Sequence, residues 1–223
     1  MSGGPLDGRL VLVAGATSTS GTAVSRALLS AGAQVHAVGS RADGLEALRT
    51  AVPGVTTHRC DLADRDAVAD LAAAVHDGAG RVDGLVHLVG GWRGGGGIAG
   101  QTDDDWDFFD RGFRTLRNTT RVFLDDLVAS PAGRLAIVSS TVVDAPTAGA
   151  ANYAAAKAAA DAWVRAVAQG FRKDAPHAAA VVFVVRTLAG LEVRLGDEVV
   201  GLWAQEPAVV NGTRVPLEPR MNP

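Results

Sequence analysis

Six short runs along the chain read as strands, most of them apolar at nearly every position, and longer stretches with helical spacing of apolar residues lie between them. The runs are Arg9–Ala14, Gln34–Val38, Val55–Cys60, Gly84–Val89, Arg134–Ser139 and Ala179–Val185. Continuous apolar character, in place of alternation, is the pattern of strands covered on both faces of a parallel sheet. The helical stretches are Gly21–Ala31, Leu45–Ala51, Asp64–Ala74, Asp103–Val128 and Ala151–Phe171. This order predicts a doubly wound α/β fold, a parallel sheet with helices on both faces, as a single domain over residues 1–223 with a short tail from 188. In the tail we expect a short helix near Gly196–Ala204 and a closing strand near Gly212–Leu217, with Asn211-Gly212 as the turn before it. The patch 90–97 (GGWRGGGG) follows the fourth run and so falls at the carboxyl edge of the sheet, where such folds bind ligands. Its alternative is a merely flexible loop.

Composition narrows the classes. With 223 residues, 48% apolar and 20% charged, the chain is long enough for a sizeable core and lacks the signature of disorder. A net charge of -3 offers no general attraction to nucleic acid or anionic lipid. The single cysteine, Cys60, cannot form an internal disulfide, and the five histidines show no paired metal-ligand spacing. No metal is expected. The N-terminal residues carry charge where a signal peptide needs an apolar core, and the longest apolar run, Ala178–Val185, is far too short to span a bilayer. These features predict a cytoplasmic protein.

The chemistry sits in two places. Residues 10–24, LVLVAGATSTSGTAV, run from a strand through a turn rich in glycine and hydroxyls into a helix. Gly15 and Gly21 let backbone approach a pyrophosphate, and the helix N-terminus presents free N–H groups to it. The other place is marked by rarity. The chain has one tyrosine, Tyr153, and only two lysines, Lys157 and Lys173, against nineteen arginines. Tyr153 precedes Lys157 by four residues, so both lie on one helix face. An ammonium beside a phenol favours phenolate and brings it toward the range useful for acid–base work. The alternative is a surface pair with no chemical role. Ser139 and Ser140 end a buried run, and Ser140 lies thirteen residues before Tyr153. A hydroxyl there can orient a carbonyl opposite the phenol.

The glycine turn, Cys60-Asp61-Leu62 after the third run, and the Ser140, Tyr153-Ala-Ala-Ala-Lys157 pattern together resemble the short-chain dehydrogenase/reductase family over about residues 8–187. The resemblance implies a Rossmann-type oxidoreductase that passes hydride between a nicotinamide cofactor and a carbonyl or alcohol. It implies that Tyr153 is the general acid, that Lys157 lowers its pKa and holds the nicotinamide ribose, and that Ser140 binds the substrate oxygen. Gly15, Thr17, Ser18, Thr19, Gly21, Asp61, Leu62, Gly90 and Gly91 become the expected cofactor contacts, with Tyr153 and Lys157. Asp61 resembles the family's adenine contact; it can also serve as the N-cap of the following helix. At the end of the second run, Val38-Gly39-Ser40-Arg41 has no carboxylate to repel a 2′-phosphate, and Ser40 and Arg41 can bind one. This favours NADP(H) over NAD(H), an ordinary solvated arginine being the alternative.

The sequence departs from the family pattern at several points. Thr19 stands for the middle glycine of the turn, with Thr17, Ser18 and Ser20 offering hydroxyls in compensation. Leu88-Val89-Gly90-Gly91 keeps only the last glycine of a usual loop motif, Gly112 stands where many relatives have a relay asparagine, and Arg186-Thr187-Leu188 replaces a usual Pro-Gly. Asn118 is more than one and a half turns from Gly112 and should point elsewhere. The short tail leaves an open pocket, with Trp92 and Trp203 as walls or as plain packing. Residues 90–95, the missing relay and the short tail are also similar to dihydropteridine reductases, which act on a quinonoid pterin. A different class of reading is a catalytically weak or inactive scaffold that binds a nucleotide or a partner. The alanines of 151–171 permit close helix approach, and in the family this helix and the preceding one form subunit faces; a homodimer or homotetramer is expected, internal packing being the alternative.

Overall fold

The computed structural model describes residues 4–219. Seven parallel strands form one sheet: β1 (Leu10–Ala14), β2 (Gln34–Gly39), β3 (Thr56–Arg59), β4 (Gly84–His87), β5 (Arg134–Ser140), β6 (Ala179–Val185) and β7 (Arg214–Pro216). Their order is β3-β2-β1-β4-β5-β6-β7, so the winding reverses between β1 and β4. The helices are α1 (Thr19–Ser30), α2 (Ala42–Ala51), α3 (Arg65–Ala79), α4 (Asp103–Ala129), α5 (Ala151–Asp174), α6 (Glu192–Gly201) and α7 (Pro207–Val210). The Rossmann-type architecture expected from the pattern is the one present. The ends 1–3 and 220–223 lie outside the described residues.

Strand periodicity divides the side chains of β1 between two cores. Val11 and Val13 join Val24 and Leu28 of α1 and Leu195 and Val199 of α6 on one face. Leu10, Leu12 and Ala14 join Leu71 of α3, Leu116 and Phe123 of α4 and Val164 of α5 on the other. All five residues of β1 and all seven of β6 are buried, which explains their unbroken apolar runs. Each fully buried Leu or Phe contributes about 2 kcal/mol of apolar burial.

The third run is the exception. β3 is Thr-Thr-His-Arg, only partly buried, because it is the sheet's edge and has one neighbour. It also brings together two histidines that looked scattered in sequence: His58 Nε2 and His36 Nδ1 lie 2.9 Å apart with their rings stacked. β4 ends at His87, two residues earlier than its apolar run, because the chain turns there toward the glycine-rich segment. In the tail, α6 begins earlier than expected and a 3-10 turn covers Leu202–Ala204 before α7 and β7. No helix among the described residues is long and apolar enough to cross a membrane.

Candidate active site

The segments that follow β1, β2, β3, β4 and β5 lie along the carboxyl edge of the sheet, on either side of the reversal between β1 and β4. Gly15 follows β1 with φ of 79°, and a side chain there would run into the backbone of Leu88 and Val89 at 2.8 Å. Glycine is therefore dictated by both conformation and space. Ser18 caps α1: its hydroxyl accepts the Gly21 N–H at 3.0 Å and donates to the Gly15 carbonyl at 3.1 Å. That hydroxyl is thus committed to the turn and does not compensate for Thr19, contrary to the sequence-based expectation. Thr19 is the first residue of α1 and is exposed. Thr19 and Ser20 occupy the first turn of α1, whose N–H groups have no partner within the helix. Thr17 packs toward the end of β2, where side chains added at Gly39 and Gly44 would meet it at 2.7 and 3.1 Å.

Ser40 and Arg41 are exposed beyond β2. Arg41 is 3.8 Å from Asp43 in the first turn of α2, a carboxylate close to the expected 2′-phosphate position that the 38–41 row does not contain. Both side chains are mostly exposed, so this pairing is weak. Arg59 at the end of β3 adds a second guanidinium, its Nε donating to the Ser40 carbonyl at 3.3 Å.

Asp61 does not cap α3. That work falls to Asp64, whose carboxylate accepts from Asp66 N and Ala67 N. Asp61 instead accepts from Ala63 N and pairs with Arg111 of α4 at 2.6 Å. Leu62 is buried, and Asn118 donates its amide to the Leu62 carbonyl at 3.1 Å. Asn118 therefore points away from the α5 site, as its spacing predicted, and serves to hold this loop.

Ser140 ends β5 and Tyr153 and Lys157 lie on consecutive turns of α5. The Ser140 hydroxyl accepts the Val142 N–H at 3.3 Å and lies beside the Tyr153 hydroxyl. Burial raises the Tyr153 pKa, with the nearby Ser140 hydroxyl opposing it. The expected lowering by Lys157 is not found: the Lys157 Nζ donates to the Val138 carbonyl at 2.8 Å and lies 5.8 Å from the Tyr153 ring centre. Lys157 itself is lowered to about 8 by burial, with Asp161 pulling the other way. Gly90 leaves open room beside it, since a side chain there would come only to 3.8 Å from Nζ.

Three features of the site escaped the sequence reading. His87 at the end of β4 is wholly buried, and its Nε2 shares a 2.8 Å hydrogen bond with Thr115 Oγ1, which donates to the Gly112 carbonyl at 2.6 Å. Burial and the neighbouring Lys157 charge push His87 down to about 3, so it is neutral. Gln101 ties the glycine segment to α5: its amide nitrogen donates to the Gly95, Gly97 and Gly149 carbonyls and its oxygen accepts the Asn152 N–H. Asp161, one turn beyond Lys157, is buried and ion-paired to Arg214 of β7. The signal available for these was a buried-run histidine and an acid in register with Lys157; their partners lie dozens of residues away.

The aromatic candidates separate. Trp92 is 66% exposed at the carboxyl edge, beside Gly94. Trp203 packs under the first residue of β4, where a side chain at Gly84 would meet its ring at 2.7 Å. It lies at the opposite end of the sheet and walls no site there. Phe109 meets Tyr153 with ring centres 5.6 Å apart, and Arg93 stacks over Phe108 at 4.1 Å.

Residues 9–185 match the family model described as short chain dehydrogenase, and the chain belongs to that family. It is 30% identical over 206 residues to an NADP-dependent 3-hydroxy acid dehydrogenase, YdfG, of Salmonella typhi, covering 92% of this chain and 73% of that one. It is 28% identical over 160 residues to 2,3-dihydro-2,3-dihydroxybenzoate dehydrogenase of Bacillus subtilis, covering 70% and 61%. Among solved structures, a metagenomic short-chain oxidoreductase in complex with NADP superposes with a TM-score of 0.79 at 25% identity, covering 95% of this chain and 99% of that one. The chain spans between 34% and 61% of the length of several curated relatives, the Bacillus protein included.

Proposed function

We propose that this chain is an NADP(H)-dependent oxidoreductase that interconverts a small carbonyl compound and its alcohol, working as a single Rossmann-type unit in the cytoplasm. The observation that carries this reading is the meeting of Ser140 at the end of β5 with Tyr153 on α5, with Lys157 one turn on and the exposed N-terminus of α1 on the same edge of the sheet. The residues fit a dinucleotide. The Gly15 turn packs against the Leu88–Val89 backbone that follows β4, the first-turn N–H groups of Thr19 and Ser20 would meet the pyrophosphate, and Ser40, Arg41 and Arg59 would surround a 2′-phosphate. Asp61 and Leu62 would meet the adenine, and Gly90, Gly91, Tyr153 and Lys157 the nicotinamide end. When bound, the cofactor supplies or accepts hydride. Ser140 orients the substrate oxygen, and Tyr153 donates a proton to it during reduction or removes one during oxidation. The Lys157 charge favours that transfer when its ammonium turns from the Val138 carbonyl toward the phenol. The NADP complex of the metagenomic relative and the NADP-dependent name of the Salmonella relative support the cofactor assignment.

A second reading is favoured by one observation. With Lys157 committed to Val138 and the Tyr153 pKa raised, the site at rest is not activated, as in a weak catalyst or binding scaffold. Tyr153→Phe decides between them: NADPH oxidation over a panel of carbonyls, pterins included, is lost with cofactor affinity nearly kept if Tyr153 is the acid. No turnover in either form supports the scaffold. We also propose a homodimer through α4 and α5, which enclose an apolar cleft of about 270 Å3 lined by Leu124, Val128, Trp163, Ala166, Val167 and Gly170.

A further inference from the structure

Residues 94–97 are four consecutive glycines, with φ between 66° and 157°, so this part of the segment between β4 and α4 has no side chains with which to hold its own shape. It is held from outside. The Gly95 N–H donates to the Gly149 carbonyl at 2.8 Å, and the Gln101 amide nitrogen donates to the Gly95, Gly97 and Gly149 carbonyls at 3.0, 3.2 and 3.2 Å. The other end of the same amide accepts the Asn152 N–H at 3.0 Å. One end meets three acceptors and the other a donor, which settles the orientation of the amide. Asn152 in turn donates its side-chain amide to the Thr102 carbonyl at 3.1 Å, and Thr102 is the N-cap of α4. The starts of α4 and α5 are thus clasped to each other, and α5 has no side-chain cap of its own, its N-cap residue being Ala150.

Tyr153 is the next residue. Its ring meets Phe109 of α4 with centres 5.6 Å apart, so ring and backbone are both registered against α4. Lys157, one turn on, is held independently by the Val138 carbonyl of β5. The first turn of a helix frays when its N–H groups lack partners, and in α5 that turn carries the phenol and not the lysine. We propose that Gln101 is the positioning residue for Tyr153: through the Asn152 N–H it fixes the first turn of α5 and keeps the phenol at Ser140, while its amide nitrogen fastens the glycine segment to the same turn.

The proposal rests on the role given to Tyr153 above, but its first test does not require turnover. The chain has one tyrosine, so protein labelled with 13C at tyrosine Cζ yields a single resonance that reports this phenol alone. We expect one narrow line in the wild type and a broadened or split line in folded Gln101→Ala. Gln101→Glu keeps an acceptor for Asn152 and loses the donated bonds, so it should keep the wild-type line although it is no more stable than Gln101→Ala. A purely structural role would make the line follow stability in both variants. An unmoved line in Gln101→Ala, or the same change in both variants, overturns the proposal. If Gln101→Ala does not fold, Gln101→Met fills the same space without hydrogen bonds and carries the same expectation.

With a carbonyl that the wild type reduces, Gln101→Ala should lower kcat about tenfold and leave NADPH affinity unchanged, since neither α1 nor Lys157 depends on the clasp. A loss confined to NADPH affinity contradicts the proposal. A parallel calorimetric titration with NADPH separates the two levels. A changed tyrosine line in a protein that binds no NADPH sinks the oxidoreductase reading alone, and NADPH binding with an unmoved line sinks the Gln101 assignment alone.

Discussion

Gln101 accepts the backbone N–H of Asn152 at 3.0 Å and so caps a helix that has no cap of its own. The N-cap position of α5 is Ala150, which has no side-chain oxygen, and Tyr153 follows within the first turn. Its amide nitrogen holds the Gly95, Gly97 and Gly149 carbonyls, so one side chain fixes both the glycine segment and the start of the helix. Loss of a cap costs about 1 kcal/mol. We expect Gln101→Ala to destabilise the protein by about 1–2 kcal/mol in urea titration, the excess reflecting the loosened loop. Gln101→Glu keeps the acceptor but loses the three donated bonds, and should destabilise at least as much.

His87 gives the protein an acid limb. Its folded pKa of about 3 lies below the usual 6.5, so between those values the unfolded chain binds more protons and stability falls as pH falls. His36 and His58, lowered mainly by burial, act in the same direction. His87→Gln retains a partner for Thr115 and cannot titrate. The loss of stability between pH 7 and pH 4.5 should be smaller in this variant by about 2 kcal/mol, measured by denaturant unfolding at both pH values. An equal loss in both proteins would place the acid sensitivity elsewhere.

Asp61 and Asp64 separate binding from folding. Asp64→Ala removes the N-cap of α3 and should cost about 1 kcal/mol of stability with little change in NADPH affinity. Asp61→Ala loses an exposed ion pair to Arg111 and a turn bond, a smaller stability effect, while weakening NADPH. Paired thermal melts and cofactor titrations check the contrast.

The α4 and α5 face predicts assembly. Leu124 is the exposed large apolar residue of the cleft, and Leu124→Arg should convert a dimer to monomer in size-exclusion chromatography with light scattering. A wild-type monomer at micromolar concentration contradicts the proposal.

Much of this fold is written in the apolar runs, because β1 and β6 are buried on both faces and nothing competes with that signal. β3 was misjudged as buried because an edge strand needs only part of its surface covered. Ser140, Tyr153 and Lys157 stood out by rarity and spacing, and the structure brings Ser140 to Tyr153. Hydrogen-bond assignments were the illegible part. Ser18 reads as a ligand hydroxyl and caps α1; Asp61 reads as an adenine contact with capping as its alternative, and the cap of α3 is Asp64. Gln101 with Asn152 and Asp161 with Arg214 join distant segments, and no local pattern records where such segments meet.

The central claim is a dinucleotide site selective for the 2′-phosphate, and calorimetric titration with NADPH and NADH tests it most directly. We expect micromolar binding of NADPH, weaker binding of NADH, and a loss of roughly tenfold in NADPH affinity alone on Arg41→Ala. Absence of binding by either cofactor at millimolar concentration would contradict the account, with Thr19 as the residue that closes the turn.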